Sequence, residues 1–166
     1  MVVLVPVDAA LDATLASGAA AFESTYAARI EADLEHAREL VRQNVEWMSL
    51  NPRSEPWGAY LAVASSGDGR DVVGVCAFVK APDAGGEVEI AYGTFPRFEG
   101  RGFGSATAVA LVAIASARAE IRRVIAHTAP ERSASTRILE KAGLRFDGEA
   151  TDKDIGLCWR WMIDVR

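Results

Sequence analysis

The segment Gly86–Ser105, GEVEIAYGTFPRFEGRGFGS, constrains this chain more than any other. Val88, Ile90 and Tyr92 alternate with Glu87, Glu89 and Ala91, a period of two that predicts a strand. A turn containing Pro96 follows, and then Gly100, Gly102 and Gly104, which permit tight turning and close approach of a ligand to the backbone. The run Ala106–Ala117, ATAVALVAIASA, predicts a helix that is apolar on nearly every face and therefore buried. A glycine loop feeding a helix N-terminus aims unpaired N–H groups at one spot. The helix dipole adds partial positive charge there, so the segment suits a phosphate or diphosphate.

Three anion-binding loops compete for this pattern. A nucleotide P-loop needs Gly-Lys-Ser/Thr, and the sequence Gly102-Phe103-Gly104-Ser105 holds no lysine. The dinucleotide fingerprint G-x-G-x-x-G/A fails at Ser105 in one frame and at Thr107 in the other. The third is the P-x-x-x-G-x-G-x-G loop that wraps the diphosphate of an acyl-CoA.

That arrangement resembles the GNAT superfamily of acyl-CoA N-acyltransferases, and the resemblance continues downstream. Pro130–Glu149, PERSASTRILEKAGLRFDGE, looks like the family's second signature, in which a Ser opens a short helix ending in Leu-Glu-Lys-x-Gly. Glu89-Ile90-Ala91-Tyr92 and the closing strand Cys158–Val165 are similar to the ribosomal-protein N-terminal acetyltransferase branch. The match is good over roughly the last 95 residues and slight over the first 55. Glu99 stands where the family loop usually has Gln or Arg, Ala106 where this branch often has Glu, and Leu144 where Phe is usual. The Asn that usually precedes the signature Ser is absent.

The resemblance implies acetyl-CoA as co-substrate, held by Tyr92, Thr94, Phe95, Arg97, Glu99, Gly100, Arg101, Gly102, Phe103, Gly104 and Ser105. It places an oxyanion-stabilising backbone N–H among Tyr92–Phe95, where strands splay apart. Glu89 is the candidate base for the incoming amine, through a carboxylate partly withdrawn from water with Glu87 nearby, or else a surface or salt-bridged carboxylate on a strand end. Ser135 is the family-type proton donor to the departing thiolate, with a helix cap as its competing role. His127 is either a proton relay or a hydrogen-bonded strand histidine. Trp159 and Trp161 either wall the acceptor cleft or fill core. Glu99 is expected to pair with Arg97 or Arg101, while Glu87 and His36 are expected to be solvated.

Size and charge agree with an enzyme. At 166 residues the chain suits one domain over 1–166, and half of it is hydrophobic. A net charge of −5 argues against a nucleic-acid partner. Cys76 and Cys158 lie in apolar strand-like runs and read as free buried thiols. The N-terminus has no basic leader, no stretch reaches membrane-spanning length, and a cytoplasmic protein is expected. No His/Cys/Asp cluster has metal-ligand spacing.

The element order is an opening strand Val2–Val7, two short helices after Asp8, and an amphipathic helix Ala32–Leu50. A hairpin of Trp57–Ser65 and Val72–Lys80 follows, and then β-α-β-α-β-β. This predicts an α/β fold of α+β type: a central, mostly antiparallel twisted sheet with helices on both faces. The expected activity is transfer of an acetyl group to a primary amine, either a protein N-terminus or a small molecule, with a homodimer allowed. The competing reading is a non-catalytic acyl-CoA sensor or protein-interaction module.

Overall fold

The computed structural model describes residues 1–153 and 156–165. Seven strands form one sheet in the order β1-β2-β3-β4-β5-β7-β6. They are β1 (Val2–Pro6), β2 (Ala59–Ser66), β3 (Gly69–Phe78), β4 (Glu87–Thr94), β5 (Arg123–Thr128), β6 (Arg145–Asp152) and β7 (Gly156–Asp164). The helices are α1 (Ala9–Ala16), α2 (Ala19–Tyr26), α3 (Leu34–Leu50), α4 (Phe103–Ser116) and α5 (Ala134–Lys141). Neighbouring strands are antiparallel except β4 and β5, whose parallel register runs Glu87↔Arg123, Val88↔Val124 and Glu89↔Ile125.

Strand alternation sorts the core onto the two faces. Val75 and Ala77 turn to one face and pack with Ala37 and Val41 of α3 and with Leu11, Leu15 and Phe22 of α1 and α2. Cys76, Phe78, Val88 and Ile90 turn to the other and pack with Ala108, Leu111 and Ala115 of α4 and Leu139 of α5. The mixed sheet with helices on both faces is thus as expected.

Local chemistry accounts for the helix starts. Asp8 caps α1, accepting the Leu11 N–H at 2.8 Å. Ser133 caps α5 and Thr136 answers it, a reciprocal capping box. Gly143, at φ +89°, follows the end of α5. The cap therefore belongs to Ser133, and Ser135 lies in the first turn of the helix.

Several boundaries move. A 3-10 turn at Glu31–Asp33 takes the start expected for α3, β3 begins at Gly69, and Trp57 sits in a buried bend before β2. Helix α4 starts at Phe103, inside the glycine segment. It is not buried all round either. Val109 is 49% exposed and Ala113 is exposed, because the sheet covers only the stripe of Gly104, Thr107, Ala108, Leu111 and Ala115. Trp161 is core, its indole N–H donating to Thr128 Oγ1 at 3.0 Å, and it stacks edge-on with Phe146.

Candidate active site

The β4–β5 ladder stops at Glu89↔Ile125. Beyond it β4 continues along β3 while β5 continues along β7. The separating strands open a cleft of about 740 Å³, lined by Glu89, Tyr92, His127 and Thr128 of the sheet and by Ser135 of α5. Asn44 and Trp47 of α3, together with Arg53, close it from the N-terminal half. The register puts Glu89 beside Ile125 and leaves His127 one pleat further along on the same face. His127 Nδ1 lies 2.7 Å from Glu89 Oε1, and the two side chains are 15% and 18% exposed. An ionised Glu89 accepts from Nδ1–H, which leaves the lone pair of the ring on Nε2.

Glu87, by contrast, is not simply solvated. Its carboxylate pairs with Arg160 at 2.6 Å and lies 3.9 Å from Arg123. A neutralised Glu87 exerts little like-charge pressure on Glu89, so burial and His127 define the Glu89 environment.

A second cleft, about 460 Å³, lies over the glycine loop. Thr94, Glu99, Gly100, Gly102, Phe103, Gly104 and Ser105 line one side, and Arg137, Ile138 and Lys141 of α5 line the other. Gly100 and Gly102 hold φ of +71° and +85°, which side chains with a Cβ rarely adopt. Gly102 is the N-cap of α4 and offers no side chain to its first amides. Those amides, the dipole of α4 and the cations of α5 together suit a diphosphate. Tyr92 and Ser135 line both clefts, which therefore meet at this pair. The Tyr92 hydroxyl donates to the Ser135 carbonyl at 3.3 Å, and burial pushes the phenol well above its usual range.

The backbone of β4 lies unusually close to β3 here. A Cβ on Gly74 would lie 2.1 Å from the Gly93 carbonyl oxygen, so only glycine fits opposite this peptide. Across a trans peptide the Thr94 N–H points the opposite way from that oxygen. The Phe95 N–H is already donated to Val73 O at 2.9 Å, which removes it from the candidate oxyanion donors. The Phe95 ring is core, with the exposed His36 edge-on at 5.5 Å.

The expected partners of Glu99 are placed elsewhere. Arg97 Nε binds Asp33 at 2.6 Å, and Arg101 lies over the Phe98 and Phe103 rings. Both arginines line a separate groove with Arg29, on α2 and the segment after it, outside the loop cleft. Among the described residues no salt bridge joins Glu99 to either. The positive charge facing the loop comes from Arg137 and Lys141 instead. Their i, i+4 spacing after the Ser133 cap was the available sequence signal. His127, Trp47 and Arg53 carried no comparable pattern.

The sequence profile of the acetyltransferase (GNAT) domain matches residues 2–145, and the chain belongs to that family. It is therefore an acyl-CoA-dependent acetyltransferase with acetyl-CoA as co-substrate. The profile includes the N-terminal stretch where the resemblance was slight and stops before the closing strand where it was good. No curated protein matches the chain in sequence. Several solved structures share the fold. An acetyltransferase (GNAT family) from Bacillus anthracis is 22% identical with a TM-score of 0.59, covering 80% of this chain and 75% of its own. The ribosomal L7/L12 alpha-N-protein acetyltransferase RimL in complex with coenzyme A is 17% identical with a TM-score of 0.63, covering 98% and 93%. A spermidine N-acetyltransferase from Vibrio cholerae, in complex with CoA and spermine, is 12% identical with a TM-score of 0.58, covering 72% of each chain. Among the described residues no helix is long and apolar enough to cross a membrane.

Proposed function

We propose that this protein acetylates a primary amine by direct attack on acetyl-CoA, with the glycine-loop cleft holding the co-substrate and the β4–β5 cleft admitting the acceptor. The observation that carries this reading is the Glu89–His127 hydrogen bond inside the second cleft, next to the Tyr92–Ser135 pair where the two clefts meet. An α-amino group titrates near 8 and is largely protonated at neutral pH. It must lose a proton before it can attack a thioester carbonyl. Glu89, oriented by His127, takes that proton directly or through one water.

The Thr94 N–H is the proposed donor to the developing oxyanion, and the amides of Gly102–Ser105 with Arg137 and Lys141 hold the diphosphate. Ser135 donates to the leaving thiolate. Its hydroxyl makes no hydrogen bond to the protein among the described residues, and the cap role has passed to Ser133. The free, buried Cys76 and Cys158 support a reducing, cytoplasmic setting. The acceptor is a protein N-terminus or a small-molecule amine, and enzymes sharing this fold include an alpha-N-protein acetyltransferase and a spermidine N-acetyltransferase.

The test is release of free CoA thiol from acetyl-CoA across a panel of amines and N-terminal peptides. Turnover of at least one acceptor above the no-acceptor background is expected. Tight CoA binding with no turnover on any acceptor would return the protein to the sensor reading.

A further inference from the structure

Arg53 is the most unusual cation in the acceptor cleft. It follows α3 and reaches back across the sheet, where Nη1 donates to the carbonyls of both Trp57 and Phe78. Its guanidinium carbon sits 4.1 Å from the centre of the Trp47 ring. These contacts use both Nη1 protons and fix the plane of the group. Nε and Nη2 have no hydrogen-bond partner among the described residues. They form the side-on fork that matches a carboxylate.

The contrast with the other arginines is informative. Arg29, Arg38, Arg42, Arg97, Arg123, Arg132, Arg145 and Arg160 pair with carboxylates of this chain, and of the arginines without such a pair among the described residues, Arg118, Arg122 and Arg137 are exposed where Arg53 is half-buried. Arg53 is partly withdrawn from water, and that burial lowers its proton affinity, yet no Asp or Glu among the described residues compensates it. A partly buried cation held rigid without an anion is costly unless something supplies one. The charges around it in the cleft do not supply the missing anion. Lys80 and Lys153 line the same cleft, against Glu89, already engaged with His127, and Asp152. Trp47, 43% exposed, adds an apolar wall beside the fork.

We infer that Arg53 is a specificity residue for the acceptor, and that the acceptor is a primary amine carrying a carboxylate. The inference rests on the amine-transfer reading above. In it the amine approaches Glu89 while the carboxylate takes the Nε/Nη2 fork, with Lys80 and Lys153 favouring an anion over a polyamine. The carboxylate can belong to a free amino acid or to an acidic peptide N-terminus, and matched probes separate these sources.

Turnover is measured on free amino acids and their amides, on N-terminal peptides with Asp or Glu against Asn or Gln, and on spermidine. Carboxylates are expected to exceed their amide partners by about 10- to 100-fold in kcat/KM, chiefly through KM, as for a lost charge-assisted hydrogen bond. Arg53→Gln is expected to collapse that ratio toward one while CoA still raises the melting temperature. Arg53→Lys keeps the charge and loses the fork, and recovers only part of the ratio. If Arg53→Gln fails to fold, the lysine variant and the parent ranking still decide.

Equal rates on acids and amides, a preference for spermidine, or an unchanged ratio in the variants overturns the assignment. If no amine is turned over at all, the transfer reading fails separately. The fork is then judged by thermal shift of the CoA complex with N-acetyl amino acids and N-acetyl peptides against their amides. Acid-selective stabilisation that vanishes in Arg53→Gln sustains the site, and its absence removes it.

Discussion

Replacing Glu89 with Gln changes the charge of one group and almost nothing of its shape, which makes it the sharpest probe of the proposed chemistry. The carboxylate is 18% exposed and lies 2.7 Å from His127, itself 15% exposed, so bulk water cannot take over either role easily. General-base help supplies about 100- to 10,000-fold in rate, and the lower end fits a site where one water can still assist. Glu89→Gln is therefore expected to lower kcat about 100-fold, near 2.7 kcal/mol of barrier. His127→Asn should cost a similar factor, because it removes the group that orients the carboxylate. Since the two side chains act as one unit, the double variant should lose little more than either single variant, well short of the ~10,000-fold expected of independent groups. Raising the pH should partly rescue Glu89→Gln, since neutral amine then accumulates without help. CoA affinity, read by thermal shift, should stay at the parent value. The assay is thiol release against pH for all four proteins with one acceptor. A normal rate with an unaltered pH profile, or losses that multiply in the double variant, would refute the paired-base argument.

Other perturbations test the frame around that pair. Gly74→Ala drives a Cβ to 2.1 Å from the Gly93 oxygen, so β3 and β4 must part by about an ångström or more. A stability loss of about 1–3 kcal/mol in urea unfolding is expected, with a lower acetylation rate, and an unchanged midpoint would contradict it. Gly102→Val places a branched side chain at φ +85° in the loop cleft and should abolish the thermal shift produced by CoA. Charge reversal of effect is expected within that cleft. Glu99→Gln should tighten CoA binding about two- to three-fold at low salt and Arg137→Gln should weaken it by a similar factor, both differences shrinking as salt rises. Burial raises the Cys76 thiol to about 12. Native protein should therefore leave Cys76 unlabelled by thiol reagents at pH 8, whereas urea-unfolded protein should react fully.

What the sequence revealed and what it hid divide along a physical line. The glycine loop was legible because its requirement is local. A backbone that must adopt positive φ shows itself as glycine at Gly100 and Gly102, whatever the rest of the chain does. The sheet with helices on both faces was legible for a similar reason, since period-two and period-3.6 patterns report burial segment by segment. Helix α4 shows the limit of that signal. Its composition is apolar throughout, but the sheet covers only one side of a helix, and Val109 lies on the other.

Ion pairing was misread where a distant partner prevailed. Neighbouring Arg97 and Arg101 looked like the natural counter-charges of Glu99. Asp33, 64 residues away in sequence, holds Arg97 instead, because the turn before α3 brings it to the loop. The Glu89–His127 pair was hidden in the same way. Each residue drew notice alone, but their contact depends on a three-residue parallel register between strands separated by a whole helix. Arg53 is the extreme case. Nothing in NPRSEPWG marks its arginine, since the carbonyls that fix it come from a buried bend and from the end of β3. Residues proposed to meet the co-substrate answer to backbone geometry and leave a pattern in the sequence. Residues that meet the acceptor answer to tertiary placement, so acceptor chemistry has to be sought in the folded cleft, and there the uncompensated fork of Arg53 is its clearest trace.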